Sequence, residues 1–314
     1  MFRRLAIARE TYRSFERAFG AKRLSLFRRR PQPVLLEARN FDEYQNAARN
    51  IAQLNSHWLR DTWFEEERPA QTKLGGYCAA CEMHTYFDVD FTLCVEWEGR
   101  KVPWWTNTLK CPTCHLPARM RAALHLFGSR IFPDRRGQIY ITEQTTGLYQ
   151  QFHRRYRGLV GSEFLAESTP RGALDDRGFR CEDLTDLTFD DASFDHVLSF
   201  EVFEHIPDYM AALKECARVL RRGGSLFCSV PFHGDPDHQV RARVRPDGSI
   251  EHLLPPEYHG DPVNPAGVLC YRYFGFKLVD ELRSVGFSDS WALIYWSAEL
   301  GYLGEDRVVF VAVR

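Results

Sequence analysis

The sequence predicts an α/β protein built on a parallel sheet, with a small helical and metal-binding module in front of it. Two observations carry this. Within 179–232, three short apolar runs (179–184, 196–200 and 225–230), rich in β-formers and bounded by turn residues, read as buried strands. A helix lies between the last two. Pro207 suits its first turn, Met210, Leu213, Ala217 and Leu220 recur on one face, and Arg221-Arg222-Gly223-Gly224 ends it. Strand, helix and strand at this spacing make a βαβ unit of a parallel sheet. The second observation is a pair of Cys-x-x-Cys motifs, Cys78/Cys81 and Cys111/Cys114, upstream of that unit.

At 314 residues the chain has room for one large domain and a smaller one. An apolar content of 44% and a charged content of 26% are ordinary for a soluble globular protein. No run approaches eighteen apolar residues, so no transmembrane segment is expected. Nine cysteines without a secretory signal point to a reducing, cytoplasmic compartment, where thiols bind metal or pack.

Taken in order, residues 1–35 read as a basic amphipathic arm. Residues 1–30 hold ten Arg or Lys against two Glu, in a chain whose net charge is −1. Phe2, Leu5, Ile7, Tyr12, Phe15 and Phe19 are interleaved with them. Such an arm suits peripheral contact with an anionic membrane, binding to RNA phosphates, or docking on its own protein. Glu10 and Glu16 argue against an organelle transit peptide. Residues 36–68 hold a better-defined helix. Asn40 and Glu43 form a capping box, and Tyr44, Ala47, Ile51, Leu54 and Trp58 follow at steps of three and four. That stripe is expected to pack on the metal module or the catalytic domain.

Residues 69–130 read as a zinc ribbon. Each Cys-x-x-Cys pair is a tight knuckle, and two knuckles complete a tetrahedron of thiolates around Zn²⁺. Between them 87–97 alternates apolar and polar residues as one half-buried strand, which 98–101 turns back toward the second knuckle. Cys94 falls on the polar face, and His84 and His115 merely flank the knuckles. Four thiolates leave no open position for water, so the metal is expected to support folding rather than chemistry. The pair Trp104-Trp105 is expected to pack between domains, the alternative being a stacking surface for glycan or RNA. A helix over 117–127 leads to a linker at 132–137.

The catalytic domain spans 135–314. Its first strand is 138–142, followed by a loop at Glu143-Gln144-Thr145-Thr146-Gly147 and a helix to Arg157; 159–164 is the second strand. Residues 232–272, with six prolines and the histidines His233, His238, His252 and His259, read as an insertion on the substrate side. A helix over 274–285 and strands over 288–296 and 306–313 close the sheet.

The block of Asp183, Leu187-Thr188-Phe189, Ser193-Phe194-Asp195, Glu204-His205 and Leu220-Arg221-Arg222-Gly223-Gly224 resembles the Rossmann-like (class I) S-adenosylmethionine-dependent methyltransferases, in their type 11 branch. The resemblance covers roughly the last 180 residues. It implies a seven-stranded sheet that binds S-adenosyl-L-methionine at the strand ends. Glu163, ending the second strand, is then expected to accept the ribose hydroxyls, Asp183 to lie near the adenine amino group and Leu184 to lie against the ring. Glu143, Gly147 and Ser199 complete the expected cofactor set. The family's first loop is glycine-rich, and here only Gly147 remains. Glu201, Glu204 and His205 resemble the divalent-metal motif of ubiquinone-pathway O-methyltransferases and of small-RNA 2′-O-methyltransferases, which implies Mg²⁺ or Mn²⁺. His205, with Glu204 beside it, is the first candidate for a general base.

The reading that follows is a methyltransferase acting on a hydroxyl or carboxyl of a small molecule or saccharide. One alternative is an RNA methyltransferase gripping its substrate with ribbon and arm. Another, motivated by the depleted glycine loop, is a non-catalytic cofactor-binding scaffold.

Overall fold

The computed structural model describes residues 30–63, 72–165, 169–305 and 307–314. The basic arm at 1–29, and the ends of the helical and ribbon segments at 64–71, lie outside the described residues.

Seven strands form the main sheet, in the spatial order Val34–Ala38, Asp289–Trp296, Val308–Val313, Leu220–Ser229, Phe194–Phe200, Gln138–Ile141 and Gly158–Gly161. The last four run parallel, as the βαβ pattern requires, and the first three add on antiparallel. The crossover helix Tyr209–Val219 starts at Asp208, whose Oδ1 caps Ala211 N at 3.0 Å, and buries Leu213 and Ala217. Leu220 does not end that helix: it already pairs with Phe194 in the next strand, and a register shift at 221–224 absorbs the Arg-Arg-Gly-Gly turn.

Two strands differ from expectation. The run 179–184 pairs at isolated bridges, Glu163 with Cys181 and Leu174 with Arg180, and then turns away. Asp183 Oδ1 accepts from Thr185 N and Oγ1 at 2.8 and 2.7 Å, so the carboxylate stabilises a turn where the strand would have continued. The seventh place is filled at the opposite edge by Val34–Ala38, in register with Trp296 to Ala292. In the ribbon, the expected strand 87–97 breaks into Met83–Val89 and Cys94–Trp97. Asp90 causes the break, because its Oδ1 takes Thr92 N at 2.8 Å in a local turn. Phe87 and Val89 stay in the core, whereas Phe91, Leu93 and Val95 are exposed. The hairpin turn falls where expected, with Glu98 and Gly99 both at positive φ, the conformation two-residue hairpins favour.

Helix Phe41–Trp58 begins as read: Asn40 Oδ1 accepts from Glu43 N at 3.0 Å, and Glu43 reaches back to Arg39 N at 2.8 Å. Its buried face is Tyr44, Ala47, Ile51 and Asn55; Leu54 is 38% exposed. Asn55 Oδ1 accepts from Trp296 Nε1 and Gly304 N, which ties the helix to the sheet. Tyr44 meets Phe232 and Phe276 edge-on or tilted, while Trp58 meets Trp105 of the ribbon. The helix therefore packs on both.

One continuous apolar core runs from this helix through the ribbon into the sheet. Arg121, fully buried on helix Ala118–Leu126, fastens the join: its guanidinium donates to Leu300 O at 2.8 Å and lies 3.8 Å over the Phe87 ring. Gly76 is required at the contact, because a Cβ there would meet Glu299 O at 2.6 Å.

Candidate active site and metal cluster

A cavity of about 1340 Å³ opens at the carboxyl ends of the parallel strands. It exceeds the roughly 300–1,000 Å³ of an ordinary small-molecule site, leaving room for a cofactor and an acceptor together. Three parts of the chain wall it: the strand-end loops, the insertion, and the ribbon's Trp104, Asn107 and Arg119. Trp105 is buried at 2% exposure and packs against Trp58 and Trp63, whereas Trp104 is 40% exposed and faces the cavity.

Glu143, Glu163, Asp183, Leu184 and His205 all line this cavity. Glu163 does more than sit at a strand end. Its Oε1 accepts from Gln144 N at 2.7 Å and from Thr145 N and Oγ1 at 2.8 Å, so a carboxylate holds the loop that glycines would otherwise shape. Thr146 caps helix Gly147–Arg155 and donates its hydroxyl to Glu143 Oε2. Glu143 Oε1 has no hydrogen-bond partner. Burial pushes the Glu143 carboxyl up to about 7, against the pull of Thr146 and Arg119.

Two expected cofactor residues lie elsewhere. Ser199 is fully buried inside its strand, where its hydroxyl accepts from Thr142 Oγ1 at 3.2 Å. Gly147 is outside the cavity lining and faces the ribbon: a Cβ there would come within 3.3 Å of Leu116 Cδ2. Its strand position hides Ser199, and ribbon packing limits the space at Gly147.

The expected metal trio is also rearranged. Glu201 turns aside at a φ of 56° and accepts from Ser229 Oγ at 2.6 Å. Its place is taken by His259 of the insertion, so the donors within 4.8 Å of one another are those of Glu204, His205 and His259. Glu204 is fully buried, with His205 Nε2 at 3.4 Å and His259 Nδ1 at 3.7 Å from Oε1, and neither oxygen makes a hydrogen bond. Burial raises the Glu204 carboxyl to about 7 and lowers the His205 imidazole. His205 Nδ1 lies 2.9 Å from Leu269 O, which places the proton on that nitrogen and leaves Nε2 as an acceptor. The insertion is pinned here by Arg272, whose guanidinium donates to Ile206 O and Pro207 O and lies 4.3 Å over Tyr209. Sequence reasoning missed Arg272, because an arginine in a loop carries no local signal of burial. Of the other histidines, His238 is held by Glu281 at 2.8 Å and His252 lies in the hairpin Ala242–Val244/Ile250–His252.

The four cysteines meet across the ribbon, Cys78 Sγ to Cys114 Sγ and Cys81 Sγ to Cys111 Sγ each at 3.9 Å. A tetrahedron of sulfurs at the Zn–S distance of about 2.3 Å has an edge of about 3.8 Å, so the set fits the ion. Thr113 N points at Cys111 Sγ at 3.4 Å, a donor suited to a thiolate. The Cys114 thiol beside it and burial push Cys78 up, and burial pushes Cys81 up to about 12. Thiols so placed ionise readily only when a cation compensates them.

The family described as a methyltransferase domain matches residues 144–228. A ubiquinone biosynthesis O-methyltransferase of Xanthomonas axonopodis pv. citri is 42% identical over 106 residues, 32% of this chain and 44% of that protein. That of Coxiella burnetii is 39% identical over 51 residues, 16% of this chain and 22% of that protein. The chain thus spans less than half the length of these relatives. Among solved structures, an S-adenosylmethionine-dependent methyltransferase from Mesorhizobium loti shares 18% identity at a TM-score of 0.40, covering 62% of this chain and 98% of the other. A Burkholderia thailandensis 1,6-didemethyltoxoflavin-N1-methyltransferase, solved with its substrate and S-adenosylhomocysteine, shares 21% identity at a TM-score of 0.39, covering 63% and 78%. Among the described residues no helix is long and apolar enough to cross a membrane.

Proposed function

We propose that this chain, which carries a class I S-adenosylmethionine-dependent methyltransferase domain, transfers the methyl group to a hydroxyl oxygen of a small molecule. One observation carries the reading: Glu163, Asp183, Leu184 and His205 line a single cavity at the carboxyl ends of the parallel strands. Glu163 and Asp183 would bind the nucleoside, with Leu184 against the adenine. The sulfonium is already a reactive donor, so the protein's tasks are to align the acceptor oxygen with the methyl carbon and to take its proton. His205 would perform the second task, a role supported by Leu269 O beside its Nδ1. Oxygen is the favoured acceptor because the relatives sharing this block are O-methyltransferases.

RNA methylation is less favoured. The insertion and the ribbon wall two sides of the cavity, and the basic arm invoked for RNA lies outside the described residues. Isothermal titration with S-adenosylhomocysteine tests the reading. Wild type should bind and Glu163→Ala should lose binding while keeping its circular dichroism; an unchanged affinity would show that Glu163 does not hold the cofactor.

The partnerless oxygens of Glu204 favour a second reading of the same site, in which Glu204, His205 and His259 hold a cation that acidifies the acceptor. Two imidazoles and one carboxylate suit Mn²⁺ or another transition ion better than Mg²⁺. Metal analysis separates the two readings. A metal beyond the ribbon's zinc, lost in His259→Ala, supports the cation, and its absence leaves His205 as the base.

A further inference from the structure

We propose that the four-cysteine cluster positions the cofactor loop, so that zinc at Cys78, Cys81, Cys111 and Cys114 and the cofactor strengthen each other's binding. The link is helix Gly147–Arg155, with Leu116 against one end and Ala80 bound at the other. The inference rests on the cofactor assignment above and on the fit of the four sulfurs to zinc.

Helix Gly147–Arg155 continues directly from the first loop, and Glu143, Thr145, Thr146 and Leu148 line the cavity. Each end of the helix meets one knuckle. At the far end Arg155 Nη2 donates to Ala80 O at 2.5 Å, and Ala80 lies buried inside the first Cys-x-x-Cys pair. At the near end Gly147 packs beside Leu116, where a Cβ would already stand 3.3 Å from Leu116 Cδ2. Leu116 is buried and belongs to the second knuckle. Its carbonyl accepts from Cys111 N at 3.2 Å, and His115 N donates to Cys111 O at 2.8 Å. Two residues further on, helix Ala118–Leu126 begins and puts Arg119, Met120 and Ala123 in the cavity wall.

The knuckles thus grip one helix at both ends, and they meet each other through sulfurs 3.9 Å apart. A metal there fixes the spacing of the two grips, whereas neutral thiols are weak donors and acceptors that hold each other poorly. That spacing sets where the helix starts, and with it where the loop ending in Thr146 stands. A ligand that needs the loop in this place and a metal that keeps it there favour each other by the same factor. A ribbon that only folded itself would need neither contact.

Titration calorimetry with S-adenosylhomocysteine tests the coupling on the full chain. The protein is titrated zinc-loaded, then after a chelator has removed the metal under reducing conditions, then with zinc returned. Removal should weaken binding on the order of tenfold, and returned zinc should restore it. Conversely, saturating S-adenosylhomocysteine should raise the chelator concentration that takes half the zinc by the same factor, on the order of tenfold. Arg155→Met leaves all four cysteines in place. It should keep its zinc and its circular dichroism yet lose most of both effects, which separates positioning from unfolding of the metal-free chain. Equal affinity with and without zinc, or a chelation midpoint that S-adenosylhomocysteine leaves unmoved, overturns the coupling. Arg155→Met coupling as strongly as wild type overturns the route through the helix. Zinc-loaded wild type that binds no S-adenosylhomocysteine overturns the cofactor assignment, and the coupling with it.

Discussion

At the scale of single residues, two carboxylates beside the first loop sit in different surroundings. Glu163 holds the first loop by three hydrogen bonds through one oxygen. Glu143 is a buried acid whose pKa is raised to about 7 mainly by burial. Under the proposed cofactor assignment a positively charged ligand beside Glu143 would favour its ionised form, so below about 7 binding would first expel a proton. The groups acting on it are the Thr146 hydroxyl and Arg119, which lower its pKa, and Glu163, which raises it. S-adenosylhomocysteine affinity should therefore fall as the pH drops through 7 and level off above it, and Glu143→Gln should flatten that limb. Calorimetry across the range, in buffers of different ionisation enthalpy, reads both the slope and the released proton. Glu163 and Asp183 were legible through the family resemblance, although Asp183 stands in a turn rather than at the end of a continuous strand. Ser199 was not correctly placed, because period-two alternation within a strand of unknown register does not say which face a serine takes.

At the scale of elements, the ribbon walls the candidate active site as well as carrying the four-cysteine cluster. Its knuckles hold helix Ala118–Leu126 against the sheet through Arg121, and the same helix carries Arg119 to the cavity. Cys111→Ser removes one of the four sulfurs. The variant should bind less zinc than the wild type's one equivalent and melt several degrees lower, read by metal analysis and thermal denaturation. Wild-type protein without zinc would refute the assignment. The Cys-x-x-Cys spacing was enough to predict the cluster, because each pair is a local structure with a fixed ligand geometry. The broken strand was not predictable in the same way. Residues 87–97 alternate well enough for one strand, and only the Asp90 turn and the want of a covering layer over Phe91, Leu93 and Val95 divide it.

At the scale of the whole molecule, residues 30–63 belong to the catalytic sheet as much as to any module of their own. Strand Val34–Ala38 covers the edge of Asp289–Trp296, and helix Phe41–Trp58 buries Tyr44 against Phe232 and Phe276. A chain starting after this helix would expose an unpaired strand edge and an apolar face together. It should aggregate or lose its cooperative melting transition in calorimetry. A truncated protein as stable as the full chain would show that the edge strand is dispensable.

Local chemistry, written in short stretches of sequence, was sufficient for the parallel core, the capped helix and the cysteine cluster. Each is announced by short motifs of fixed local geometry, even where two such motifs come together from 30 residues apart, as Cys81 and Cys111 do. Long-range packing decided the rest: the edge strand from the N-terminal segment, Asn55 in place of Leu54, His259 rather than Glu201 beside Glu204 and His205, and Trp104, Asn107 and Arg119 of the ribbon in the cavity wall. These pairings join residues far apart in the chain, and their energies exist only once burial has removed water from between them.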